Sequence, residues 1–160
     1  MNGTETMAAL REIAHRYQEQ YDAQIEALSK DAKLERKALL IQRNMAGHCA
    51  SFARMEYNGH IYDTRERMIF RSYHYFDVHR DAYAQLAGDE RESFLIYAHA
   101  ISMVRGCFYD KHKAELAAAE ASGNVEGVFE QLLICGVVGQ ILDDWRAWWK
   151  KNGTMDCGGI

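Results

Sequence analysis

The chain contains no proline, although proline makes up about one residue in twenty of an average protein. Because proline interrupts a helix interior more strongly than any other residue, its absence removes the strongest barrier to long helices. Glycines fall mostly in short clusters that separate segments of helical length. We therefore predict an all-α fold, a single-domain bundle of about five main helices.

The chain also lacks a closely spaced cysteine pair, an apolar leader and an excess of charge. Its four cysteines are far apart, which excludes a C-x-x-C site, and we interpret Cys49, Cys107 and Cys135 as thiols buried in a reducing cytoplasm. Met1–Leu10 has no long apolar run, so no signal peptide is expected. A net charge of -4 provides no general attraction to nucleic acid. We expect a cytoplasmic protein without cofactor and without bound DNA.

Hydrophobic periodicity and turn signals divide the chain into five predicted helices. They are expected over Thr4–Leu28, Ala32–Tyr57, from the capping box Asp63–Glu66 to Ala87, over 90–121 and over Val125–Lys151. The first two are long and are predicted to form an antiparallel hairpin, with one continuous helix as the alternative. Residues 1–153 then form the bundle domain, and residues 154–160 form a short flexible tail.

Two apolar patterns indicate the core. The second predicted helix has a seam at alternating steps of three and four. The seam consists of Leu34, Ala38, Ile41, Met45, His48, Phe52 and Met55. We expect His48 to be buried there without metal or haem. The fifth predicted helix is apolar almost all round from Leu132 to Leu142, which is typical of a helix at a bundle centre or in an interface. This stretch is the basis for expecting a homodimer.

The most specific catalytic pattern is Arg105 followed, after six residues, by His112. Positions seven apart share one face of an α-helix, where the arginine would hold a phosphate and the histidine would move a proton. The spacing resembles that of metal-independent ribonucleases of the HEPN class, which pair an arginine and a histidine on a helix and join two such helices across a dimer. The resemblance implies RNA as substrate and Arg105 and His112 as catalytic residues.

Gly106 stands where the HEPN pattern usually has a polar residue. The opposing interpretation, which we favour, is structural. In that interpretation Arg105 pairs with a carboxylate or carbonyl on a neighbouring helix, and His112 is largely exposed.

Aromatic and basic side chains are interleaved between Tyr57 and Tyr83, and three tryptophans followed by two lysines end the last predicted helix. Tyrosine, tryptophan and arginine are enriched at protein-binding hot spots. The candidate binding residues are Arg71, Tyr73, Phe76, Trp145, Trp148 and Trp149. The tryptophans are equally consistent with a cap on the bundle core or a dimer contact, and tryptophan with lysine also occurs at membrane interfaces.

These patterns favour a non-enzymatic protein-interaction or regulatory module that acts as a homodimer. A HEPN-like ribonuclease is the second interpretation, and a peripheral membrane-associated module is the third. Glu12, His15 and Glu19 share one face of the first predicted helix, but the second half of a di-iron carboxylate site is missing. We interpret them as part of a solvated acidic face and expect no metal.

Overall fold

A computed structural model describes residues 3–57 and 105–153, together with residues 84, 85, 87, 88, 90, 91 and 94. The described part is helical, which confirms the predicted all-α class. Its elements are α1 (Gly3–Ala27), α2 (Lys33–Tyr57), a π-helical segment (Arg105–Asp110), α3 (Lys111–Ser122) and α4 (Val125–Asn152). The third predicted helix and most of the first half of the fourth lie outside the described residues.

Both described turns occur where the sequence predicts them. The chain breaks between Ala27 and Lys33, so the first two helices are separate elements. The second turn uses Gly123 in the left-handed conformation, at φ 70°, which a residue without Cβ adopts readily. Asn124 then caps α4, because its side-chain oxygen accepts a hydrogen bond from the Gly127 amide at 3.0 Å.

Small side chains allow α1 and α2 to pack closely. Contacts between the two helices pair residues in reverse order: Asp22 accepts a hydrogen bond from Arg43, and Gln18 lies against Gly47. A Cβ at Gly47 would lie 3.3 Å from the Gln18 Nε2, so the glycine makes room for this contact. The buried residues of the two helices include six small ones, Ala9, Ala14, Ala46, Cys49, Ala50 and Ala53, beside the larger Met7, Leu10, Ile13, Tyr21 and Met45.

This packing confirms only part of the seam predicted for α2, since Met45 is buried and Ile41 and Phe52 pack against the core. Leu34 is 65% exposed and His48 is also exposed, whereas Ala46 and Cys49 are fully buried. The prediction that His48 is buried is therefore wrong. The pattern of larger side chains does not predict that α2 also turns Ala46, Ala50 and Ala53 into the core, as it does in the structure.

Helix α4 supplies the two largest fully buried side chains of the described core. Ile134, Val137, Val138 and Ile141 are buried, followed one and two turns later by Trp145 and Trp149, which are 0% and 1% exposed. The Trp145 indole Nε1 donates a hydrogen bond of 3.1 Å to the backbone oxygen of Thr6 in α1. This contact satisfies the one polar atom of a buried indole and ties the end of α4 to the start of α1.

The remaining described elements close the bundle. Phe108 of the π-helical segment meets Phe52 of α2 edge to face, with ring centroids 5.8 Å apart. Phe94 is fully buried within the same core. Helix α3 packs along α4 but buries only Ala119, so it covers an edge of the bundle.

Replacing Trp145 by phenylalanine is expected to destabilise the fold. The substitution removes the hydrogen bond to Thr6 and leaves a gap, for a combined loss of about 2 kcal/mol in the free energy of unfolding. Trp148→Phe is the matched control, since Trp148 is only half-buried and should lose less than about 1 kcal/mol. Urea unfolding followed by circular dichroism measures both values. Equal losses in the two variants would contradict the role given to Trp145.

The contact between Tyr17 of α1 and Asp144 of α4 makes stability depend on alkaline pH. The Tyr17 hydroxyl donates a hydrogen bond of 2.6 Å to the Asp144 carboxylate. Burial, and then this bond to a carboxylate, raise the pKa of Tyr17 from 10.0 to about 12. The phenol is therefore harder to ionise in the folded chain than in the unfolded chain.

The stabilisation from this shift is complete below pH 10 and is lost as the pH rises from 10 to 12, because the unfolded chain releases the proton first. We expect the stability difference between the wild type and Tyr17→Phe to be constant below pH 10 and to decrease above it. Denaturant unfolding at a series of pH values tests this. A difference that stays constant up to pH 12 would contradict the assignment.

Candidate functional site

The chain departs from α-helical hydrogen bonding at residues 105–110, immediately before α3. In a π-helix the backbone bonds span five residues instead of four, so residues five apart become neighbours. Asp110 accordingly lies beside Arg105, with 3.6 Å between the arginine Nε and the carboxylate Oδ1. The wider turn also removes the two-turn alignment that a regular α-helix would give Arg105 and His112.

Arg105 and His112 line two different cavities. The first, which we name the arginine cleft, has a volume of about 330 Å³ and lies between the π-helical segment, α3 and α4. Its walls are formed by Arg105, Tyr109, Lys113, Gly139, Leu142, Asp143 and Arg146. The second, which we name the histidine cavity, has a volume of about 370 Å³ and is bounded in part by α2. Its walls are formed by Ile41, Asn44, Met45, His48, Phe108, Lys111, His112, Glu130 and Ile134.

The arginine cleft contains more positive than negative side chains. The Lys113 Nζ lies 5.2 Å from the centroid of the Tyr109 ring and pairs with no carboxylate among the described residues. The Arg146 Nε is shielded from solvent and has no hydrogen-bond partner in the described part of the chain. Gly139 leaves bare backbone below the Tyr109 ring, where a Cβ would lie 3.8 Å from the ring carbon Cε2.

His112 is held against α4 in the histidine cavity. Its Nδ1 lies 2.7 Å from the Gln131 Oε1, and because an amide oxygen only accepts, the imidazole N–H donates this bond. The same nitrogen lies 3.3 Å from the Glu115 Oε2. The His112 side chain is only 17% exposed, so the prediction that it is largely exposed is wrong. The helix pairing of α3 and α4 buries it.

Arg105 also differs from its prediction. It does pair with a carboxylate, but that carboxylate is Asp110 in its own π-helical segment and not on a neighbouring helix. The local change from α to π bonding explains the difference, since a regular α-helix would not place residues five apart together. The sequence pattern missed Arg146, which completes the cleft from α4. Its position between tryptophans in a largely apolar helix was the available signal.

The candidate binding residues fall into two groups. Arg71, Tyr73 and Phe76 lie outside the described residues. Of the three tryptophans, Trp145 and Trp149 are core residues, which corrects their assignment to a binding surface, and Trp148 alone is half-exposed. The burial arises because α1 packs against the last turns of α4.

The thiols and the acidic face of α1 differ in exposure. Cys49 is buried, and burial raises the pKa of its thiol to about 12, which keeps it protonated at neutral pH. Cys135 is half-buried, and the Cys107 side chain lies outside the described residues.

Glu12, His15 and Glu19 are all exposed to solvent. No cluster of three metal-ligating side chains occurs among the residues that the structure describes.

Comparisons with known proteins assign no family to the chain: no family model, no curated protein and no solved structure matches it. Within the described part of the chain, α4 is the one helix with the length and apolar content needed to cross a membrane. A helix in the core of a soluble bundle satisfies the same criterion, so this finding is weak evidence for a membrane.

The separation of Arg105 from His112 predicts that the chain does not cleave RNA. Purified protein incubated with single-stranded RNA should leave it intact, because Arg105 and His112 line different cavities in the described part of the chain. The control is the double variant Arg105→Ala, His112→Ala, which should behave identically. Cleavage by the wild type that disappears in this variant would support the ribonuclease interpretation instead.

Proposed function

We propose that the chain is a non-enzymatic protein-interaction or regulatory module that acts as a homodimer through the outward face of α4. One observation carries the proposal: part of the apolar surface of α4 lies outside the core of the described chain. Opposite that face, Val125 is 81% exposed and Leu132 is 54% exposed. An apolar surface of this kind is typical of an interface.

The outward face has the spacing of a helix-packing stripe. Val125, Phe129, Leu132 and Gly136 follow one another at steps of four, three and four, which places them on one side of α4. Gly136 is exposed, and a Cβ at this position would have no atom within 4 Å. The stripe therefore combines exposed apolar side chains with a point where another backbone can approach closely.

A second copy of the chain is the occupant that the charges of α4 favour. The helix has Glu126 in its first turn, Glu130 one turn later, and Lys150 and Lys151 in its last turn. Two copies related by a two-fold axis near the middle of the helix would lie antiparallel and would bring the acidic end of each toward the basic end of the other. The antiparallel arrangement would also place the positive N-terminal end of each helix dipole beside the negative C-terminal end of the other, which is favourable.

The other two interpretations receive less support. A HEPN-like ribonuclease needs one groove for the arginine and the histidine, whereas Arg105 and His112 line different cavities within the chain. A peripheral membrane module would use the tryptophans and lysines at the end of α4, but Trp145 and Trp149 are already occupied by the core. RNA and membranes are therefore not the partners that we propose.

The proposal assigns five helices and a cytoplasmic location to the module. The reverse order of contacts between α1 and α2 supports an antiparallel hairpin, and residues 58–104 provide sufficient length for the additional predicted helix. Cys49 and Cys135 are free thiols, which is typical of proteins from a reducing compartment.

The substitution Leu132→Glu tests the dimer. It places a charge in the proposed interface, which should convert the wild-type dimer to a monomer without loss of helical content. Leu34→Glu is the matched control, because Leu34 is exposed to a similar extent but lies on α2. Its dimer should persist. Sedimentation equilibrium measures the mass of all three proteins.

A wild type that is monomeric throughout the concentration series would contradict the homodimer. If, in addition, the Leu132→Glu variant is much less thermally stable than the wild type and the Leu34→Glu variant is not, another segment of the same chain covers this face.

A further inference from the structure

We propose that the arginine cleft is a binding site for a small phosphate monoester. Gly139, Asp143 and Arg146 of this site continue the stripe of α4 toward its C-terminal end at steps of three, four and three, and the ligand proposal does not require a dimer. The inference rests on three cationic side chains that two separate parts of the chain bring to one cavity: Arg105 and Lys113 on one side and Arg146 on the other.

The cations of the cleft are incompletely neutralised. Asp143 lines the cleft, and Asp110 lies beside Arg105 at a distance longer than a hydrogen bond. Three cations thus face two carboxylates. An anion in the cleft would balance this excess of positive charge.

The chemistry of the cleft favours a phosphate monoester over a carboxylate. Guanidinium groups match the oxygens of phosphate in geometry, and a monoester carries nearly two negative charges at neutral pH with three acceptor oxygens. A carboxylate offers one charge and two oxygens. The ring of Tyr109 and the Leu142 side chain form apolar wall on which the organic part of the ester would lie.

The size and the surroundings of the cleft favour a small ligand over RNA. A volume of about 330 Å³ is at the lower end of the range for small-molecule pockets. The exposed carboxylate of Asp143 lines the cleft, and the chain has a net charge of -4. Both disfavour an extended polyanion, whose binding depends on many phosphate contacts.

Titration calorimetry of the full chain with phenyl phosphate tests the proposal at constant ionic strength. We expect saturable binding at a single site, no binding of phenol, and weaker binding of inorganic phosphate, which leaves most of the cavity empty. Lys113→Gln is expected to weaken phenyl phosphate binding about tenfold, since it removes a charge-assisted hydrogen bond. Lys111→Gln is the matched control, because Lys111 is exposed, lies on the same helix and lines the histidine cavity; its affinity should be unchanged.

Asp143→Asn distinguishes this site from general attraction to a basic surface. It removes a negative charge that competes with the ligand, so it should tighten phenyl phosphate binding about threefold. Arg146→Gln should weaken binding at least as much as Lys113→Gln. Circular dichroism melting shows whether Arg146→Gln folds, and the two exposed substitutions Lys113→Gln and Asp143→Asn test the site even if it does not.

Four results would overturn the proposal. The first is the absence of saturable phenyl phosphate binding to the wild type. The second is an equal loss of affinity in Lys111→Gln and Lys113→Gln. The third is equal affinity for inorganic phosphate and the ester. The fourth is an unstructured oligouridylate that displaces phenyl phosphate and binds more tightly, which would assign the cleft to RNA.

Discussion

The close approach of α1 and α2 is the constraint on which the other described elements depend. The residues that the two helices bury include small side chains, such as Ala46 and Ala50, and large ones, such as Leu10 and Met45. Helix α4 adds the fully buried Trp145 and Trp149 to this core. The Trp145 indole donates a hydrogen bond to the Thr6 carbonyl.

The number of elements that pack on α4 explains why its sequence is apolar on several sides. One face of α4 packs against both α1 and α2, and a second face packs against α3 and the π-helical segment. A helix with this many neighbours is expected to be apolar on several sides. The side chains of Leu132 and Val125 are not needed for this packing, because they remain exposed beside all the described neighbours of α4. Their exposure is therefore the strongest sign of an interaction surface.

The π-helical segment decides the electrostatics beside this surface. By turning Arg105 away from His112, it separates a pair that would otherwise resemble a nuclease site and places the arginine across from Arg146. His112 instead donates a hydrogen bond from its Nδ1 to the side-chain oxygen of Gln131. The π-helical segment thus accompanies a cationic cleft that contains Arg105 with Lys113 and Arg146, while His112 lines the other cavity.

The sequence alone determined the all-α class and the turn at Gly123, because the lack of proline and the presence of glycine and a capping residue act on the nearby backbone. The break before Lys33 has neither proline nor glycine, so the sequence leaves one continuous helix as an alternative there. Only the tertiary structure decided which face of α2 is buried, since an alanine surface becomes a core surface only when a partner with matching small residues packs on it. His48 was misplaced for this reason. The cleft likewise required tertiary structure, because Arg105 and Arg146 are distant in sequence and the π-helical bonding that orients Arg105 has no pattern in the residues themselves.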